Sequence, residues 1–198
     1  RRGLADVLRD TGREREALDA YQETLDGAPC FAEVLYAYGN LLWRRDRRAD
    51  AIEQFQKLAE CDPSRDTSQL TVARALAAAN RPDEAAAAFE RACVTCPGST
   101  RVLSAFARFL STHPSDAVRD ADRAVQFAER ARDATGRLDL RIVEALVCAY
   151  LEAERYDDAE TLLRQAAGTL PPGSLAALDE WSSRVERRAP LRAPPRFP

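Results

Sequence analysis

The only histidine of the chain, His113, stands beside Pro114, so any His–Cys or His–Ser nucleophilic pair would have to be built on that one imidazole. The surrounding His113-Pro114-Ser115-Asp116 reads as a turn, and a surface loop position is expected for it. Cys93-Val94-Thr95-Cys96 is a CxxC, the spacing of zinc and dithiol sites. It has no second CxxC and no histidine at ligand spacing, and it ends a helical segment rather than following a strand. Cys61 could approach Cys93 or Cys96 in a stacked array and complete a three-thiolate cluster, but small apolar filler is the favoured role. Asp116, Asp120 and Asp122 do not match a calcium loop. The eight glycines are scattered singly, so no phosphate-cradling loop is present. No catalytic constellation, metal site or cofactor is expected, and the chain is not expected to be an enzyme.

Charge is nearly balanced, with 29 basic and 32 acidic residues among 198, which argues against a nucleic-acid binder. Lys57 is the one lysine, leaving arginine as the cation of choice. Composition bias explains most of that, and the remainder is that guanidinium makes bidentate contacts an ammonium cannot. Five cysteines (Cys30, Cys61, Cys93, Cys96, Cys148) are an odd count at irregular spacing, which predicts reduced thiols and a cytoplasmic location. No stretch approaches about 18 uninterrupted apolar residues, so no membrane insertion is expected. The N-terminal residues lack the apolar core of a signal peptide, and the chain contains no methionine. It therefore reads as a piece of something longer, from which a targeting signal could have been removed.

The elements that position these side chains follow from a repeat. Ala17, Ala51 and Ala85 are 34 residues apart, each followed four residues on by an aromatic (Tyr21, Phe55, Phe89) and eight further by a proline (Pro29, Pro63, Pro97). Ahead of them the small residues Ala5, Gly39, Ala73 and Ala107 keep the same step. This pattern resembles the tetratricopeptide repeat (TPR), a 34-residue helix–turn–helix unit with a small residue in helix A, Ala-x3-aromatic in helix B and a closing proline. The resemblance implies an all-α fold, a right-handed α-solenoid of about five TPR units plus a C-terminal capping helix. The repeats are expected at about 1–31, 32–65, 66–99, 100–138 and 139–172, with the capping helix at 173–187 and a Pro-rich tail at 188–198. Turns between helices A and B are expected near Gly12, Asp46, Asn80 and Glu154. About eleven helices result.

In the clearest copy, Gly39 and Ala51 are small where the two helices approach, while Leu35, Tyr38, Leu42, Ile52 and Phe55 fill the seam. The fourth copy carries Arg119 where the helix B alanine should fall, and the pattern resumes five residues late at Ala124. An insertion in its A–B turn, 113–120, is expected. The fifth departs by placing Val147 and Glu154 at the usual small-residue and turn-glycine positions. Leu175, Leu178, Trp181 and Val185 give the last helix one apolar face, as a solenoid cap needs. At the other end, Leu4 and Ala5 already sit deep in a helix A motif, so about one helical turn is expected to be missing ahead of Arg1. The tail from Ala189 to Pro198 is expected to be extended or disordered.

The resemblance implies a non-catalytic scaffold or adaptor that binds a partner segment in the concave groove lined by helix A side chains. Projecting helix A positions away from the seam gives Glu33, Tyr36, Asn40 and Trp43, then Leu70 and Arg74, then Arg101, Ser104 and Arg108, then Arg141, Glu144 and Cys148. Tyr36, Asn40, Trp43, Arg74, Arg101, Arg108 and Arg141 are the expected partner-binding residues: an aromatic shelf followed by an arginine-lined stretch. The partner is another protein or peptide, an acidic one among the candidates, and membership of a larger complex fits as well. Tyr36 stands where a chaperone-type carboxylate clamp would place lysine, which argues against binding a chaperone tail. Alternatives are the C-terminal regulatory or assembly region of a larger enzyme and a structural subunit of a multiprotein complex.

Overall fold

The computed structural model describes residues 3, 5, 7, 8 and 11–188. The expectations for Leu4 and for the tail 189–198 lie outside the described residues. Gly3, Ala5, Val7 and Leu8 are helical, and ten α-helices follow among the described residues. The order is α1 Glu14–Gly27, α2 Ala32–Arg44, α3 Arg48–Cys61, α4 Asp66–Ala78, α5 Pro82–Thr95, α6 Thr100–Thr112, α7 Ala121–Thr135, α8 Leu140–Glu152, α9 Tyr156–Thr169 and α10 Leu175–Glu186, with a 3₁₀ turn at Pro172–Ser174. No strand occurs among the described residues, and none of their helices is long and apolar enough to cross a membrane. The described residues are all-α. It divides into two compact units, Arg1–Thr95 and Cys96–Pro198.

One device ends helix A in four of the repeats. Gly12, Asp46, Asn80 and Glu154 all adopt positive φ, between 55° and 77°. In each case the next residue's N–H bonds back five residues: Arg13 to the Leu8 carbonyl, Arg47 to Leu42, Arg81 to Leu76 and Arg155 to Tyr150, at 2.8–3.0 Å. These are Schellman closures, which satisfy carbonyls that the helix end leaves open. The same four arginines then begin helix B and pair three residues on with Glu16, Asp50, Glu84 and Asp158, at 2.5–2.6 Å. Both partners are largely exposed, so each pair adds little stability, but the acid in the first turn suits the helix dipole.

In the first unit α1 packs on α2, α2 on α3, α3 on α4 and α4 on α5. Ala17, Ala51 and Ala85, the alanines of the repeat, are fully buried, and Tyr21, Phe55 and Phe89 are buried beside them. Gly39 lies against the Phe55 ring: a Cβ there would stand 2.8 Å from Cδ1 and 3.0 Å from Cζ, inside contact distance. The seam residues Leu35, Tyr38, Leu42 and Ile52 are buried as expected.

In the second unit α6 packs on α7 and α8, α7 on α8, α8 on α9, and α9 on α10. The insertion falls where expected, between α6 and α7. Proline at 114 stops α6, and Asp120 restarts the chain by accepting the Arg123 N–H at 2.9 Å as N-cap of α7. Ser99 and Asp139 cap α6 and α8 in the same way. Helix α8 is buried on every face, from Ile142 through Leu151 without a break. Trp181 on α10 is buried, as an anchor of the cap requires.

Candidate functional site

The candidate binding residues fall in both units. In the first, Tyr36, Asn40 and Trp43 sit at i, i+4 and i+7 on α2 and therefore share one face. Tyr36 is 50% exposed, although its ring centroid stands 6.2 Å from that of buried Phe55. Asn40 and Trp43 are half-buried, and the guanidinium of Arg48 lies 4.2 Å above the Trp43 ring. That cation–π contact fixes the indole at the end of α2. Arg74 is exposed on α4, at the position equivalent to Asn40 one repeat later. Leu70, projected with it, is buried and belongs to the core.

In the second unit, Arg101 on α6 and Arg141 on α8 are exposed. Arg108 is two-thirds buried, and its Nη1 stands 3.6 Å from Oε2 of Glu144. Glu144 is itself buried. Burial pushes its carboxyl above the usual carboxylate range, and Arg108 and Arg141 only partly oppose that. The three residues form one charge cluster where α6 packs on α8.

The open face projected for repeat five is closed. Cys148 is fully buried, and burial pushes its thiol up to about 12. Ser104 is also fully buried, and its hydroxyl has no hydrogen-bond partner among the described residues. Arg141 alone among the projected α8 positions reaches solvent. A signal for this was present, because α8 reads Leu-Arg-Ile-Val-Glu-Ala-Leu-Val-Cys-Ala-Tyr-Leu-Glu, with Glu144 the one charged residue between Ile142 and Leu151.

His113 is half-buried at the end of α6, edge-on to Phe109 at 5.3 Å, and its Nδ1 accepts the Ser115 N–H. Cys93 and Cys96 are buried thiols. No group of three or more His, Cys, Asp or Glu side chains could hold a metal ion among the described residues.

The cysteine expectation needs correction. Cys30 and Cys61 form a disulfide, with their Cα atoms 5.4 Å apart. Two of the five thiols are therefore paired, and the argument from cysteine count to a reducing compartment no longer holds. The odd count and irregular spacing hid the pair because Cys30 follows α1 whereas Cys61 ends α3. They are 31 residues apart, out of step with the repeat.

Two tetratricopeptide repeat family models match consecutive stretches, residues 2–66 and 66–109, and together they span more than half the chain. The chain belongs to the tetratricopeptide repeat proteins. No curated protein matches it. Among solved structures, MamA matches with a TM-score of 0.61 at 17% identity, covering 92% of this chain and 90% of that one. PilF of Pseudomonas aeruginosa gives 0.61 at 22% identity, over 92% of this chain and 80% of that one. YrrB, described as a TPR protein with an unusual peptide-binding site, gives 0.60 at 18% identity, over 90% and 89% of the two chains. Likeness at this level of identity concerns the fold.

Proposed function

We propose that the chain is a non-catalytic scaffold that holds a segment of another protein on its helix A faces. The observation that carries this reading is Tyr36, an aromatic left half-exposed on α2 in line with Asn40 and half-buried Trp43. An amphipathic ring held at a helix surface offers large contact area at low entropic cost, the usual chemistry of an anchor in a protein interface. Arg74 in the first unit, and Arg101 and Arg141 in the second, favour an acidic segment, because guanidinium and carboxylate pair through charge-assisted hydrogen bonds. Arg108 and Arg141 both face Glu144, with which a ligand carboxylate has to compete. The peptide-binding description of YrrB supports the same class of partner.

The test is selection of displayed peptides against the full chain, followed by affinity measurements on variants. Tyr36→Ala should weaken a selected peptide roughly thirtyfold, the loss of one buried aromatic anchor. Arg74→Glu should weaken acidic peptides and flatten their salt dependence. Selected peptides that bind both variants as they bind the parent chain would defeat the reading.

A further inference from the structure

We propose that the Cys30–Cys61 bridge is a thiol–disulfide exchange site, open to a dithiol reductant, whose state sets the order of the α2–α3 hairpin. The inference rests on the binding reading in one respect, that Tyr36, Asn40 and Trp43 ride on this hairpin. Cys30 lies in the turn ahead of α2, and Cys61 is the last residue of α3. The bridge therefore joins the beginning of one helix–turn–helix unit to its end and encloses both helices. Without it, the two ends are held by the seam of Phe55 against Gly39 and by the packing of α1 on α2 and α3 on α4. In repeat arrays stability is a sum of local and nearest-neighbour contributions, so cutting a link of this kind loosens its own repeat first.

The position suits exchange. Cys30 is exposed and Cys61 half-buried, so a reductant can reach the bond without unfolding the repeat. A thiolate of the dithiol attacks Sγ of Cys30, the Cys30–Cys61 bond breaks, and Cys61 leaves as a thiolate that takes up a proton. The second thiol of the reductant then attacks its own sulfur in the mixed disulfide and releases Cys30. Two electrons pass from the dithiol, which is oxidised to its cyclic disulfide, to the protein, which gains two thiols. Cys93, Cys96 and Cys148 are buried and stand apart from this chemistry.

The experiment uses the full chain purified without reductant, with dithiothreitol as the probe. Peptide mapping should find Cys30 linked to Cys61, and dithiothreitol in native buffer should open the link. Native-state hydrogen exchange should then rise by up to a few hundredfold across residues 32–61, roughly the ceiling set by releasing a loop of 31 residues, and stay unchanged across 140–152. Cys30→Ser should show the faster exchange from the start and no response to dithiothreitol. Absence of the linked peptide, a bond that resists dithiothreitol until the protein is denatured, or exchange indifferent to reduction would each overturn the proposal. Peptide affinity separates the two readings. Tyr36-dependent binding with redox-indifferent exchange defeats the staple alone, whereas a redox response without Tyr36-dependent binding defeats the binding reading alone.

Discussion

Arg119 donates from Nε to Oε1 of Glu152 at 2.7 Å, and so fastens the inserted turn of the fourth repeat to the end of helix α8. The same guanidinium gives Nη1 to the His113 carbonyl at 2.9 Å and pairs through Nη2 with Asp116. One side chain thus closes the loop 113–120 on itself and ties it to the next repeat. Both Arg119 and Glu152 are about four-fifths buried at the side chain, where a charge-assisted pair keeps more of its strength than on the open surface. Arg119→Ala should cost about 1–3 kcal/mol, because it strands Glu152 and a carbonyl together. Arg119→Lys should recover only part of that loss, since an ammonium cannot span the three acceptors. Urea unfolding of both variants tests this, and equal stability of the Ala variant and the parent would remove the staple role.

Gly39 and Phe55 set the closest approach of α2 and α3. Because a Cβ at 39 would stand 2.8 Å from Cδ1 of a ring that is itself buried, the aromatic has to move into packed neighbours to make room. Gly39→Ala should therefore destabilise despite the better helix propensity of alanine, and Gly39→Val should cost a few kcal/mol, as overpacking does. Gly39→Ala combined with Phe55→Leu should lose less than the sum of the two changes, the signature of a shared contact. Additive losses in a double-mutant cycle would show that the two residues do not crowd each other.

The register of the helices was legible because equivalent positions carry equivalent sizes. Ala17, Ala51 and Ala85 are small where a neighbouring helix lies against them, and prolines 29, 63 and 97 each follow a helix that they cannot continue. The A–B turns were legible for the same reason, down to Asp46, Asn80 and Glu154, all at positive φ. Less legible were features that break the register. Cys30 and Cys61 are partners across non-equivalent positions, so a repeat-based comparison never sets them side by side. The burial of Glu144 and Cys148 was missed because projecting helix A as in the other repeats presumes an open face, whereas α8 is buried without a break from Ile142 to Leu151. The arginines are partly accounted for by their recurring use at the start of helix B, a 34-residue pattern of Arg13, Arg47 and Arg81 that composition alone obscures.

Glu154 offers a stability gain by the reverse of the Gly39 argument. Its φ of 55° is a conformation that β-carbon-bearing residues adopt at a cost, and the family places glycine at this turn. Glu154→Gly should stabilise the second unit by about 0.5–1 kcal/mol, the relief of the left-handed penalty less the extra entropy glycine loses on folding. Asn80→Gly, at φ 57°, should gain less, because asparagine tolerates this region. Thermal melts of the two variants should rank Glu154→Gly above Asn80→Gly, and a lower melting temperature for Glu154→Gly would show that its side chain makes a contact worth more than the strain.

Cys148 and Glu144 give the second unit a dependence on pH with a definite sign. Each has a folded pKa raised by burial, so each supports folding while protonated and withdraws that support as pH climbs from its unfolded towards its folded value. For Glu144 the window opens at the ordinary carboxylate value of 4.5 and extends upward. Glu144→Gln, which cannot ionise, should therefore gain on the parent chain as pH is raised from about 4 to about 7.5, measured as the difference in urea midpoints. A difference that moves the other way would mean that Arg108 and Arg141 outweigh desolvation. For Cys148 the window runs from 9.0 to about 12. In it the unfolded thiol ionises while the folded one, buried beside Glu144 with Arg108 and Arg184 only partly offsetting the burial, does not. The parent should lose up to about 4 kcal/mol relative to Cys148→Ala across that range, about three pKa units at 1.36 kcal/mol each. Below pH 9 the native thiol should resist iodoacetamide until the protein unfolds, since only the thiolate reacts and none is exposed. Rapid alkylation of Cys148 in the native protein, with the fold intact by circular dichroism, would show that the closed face of α8 opens in solution.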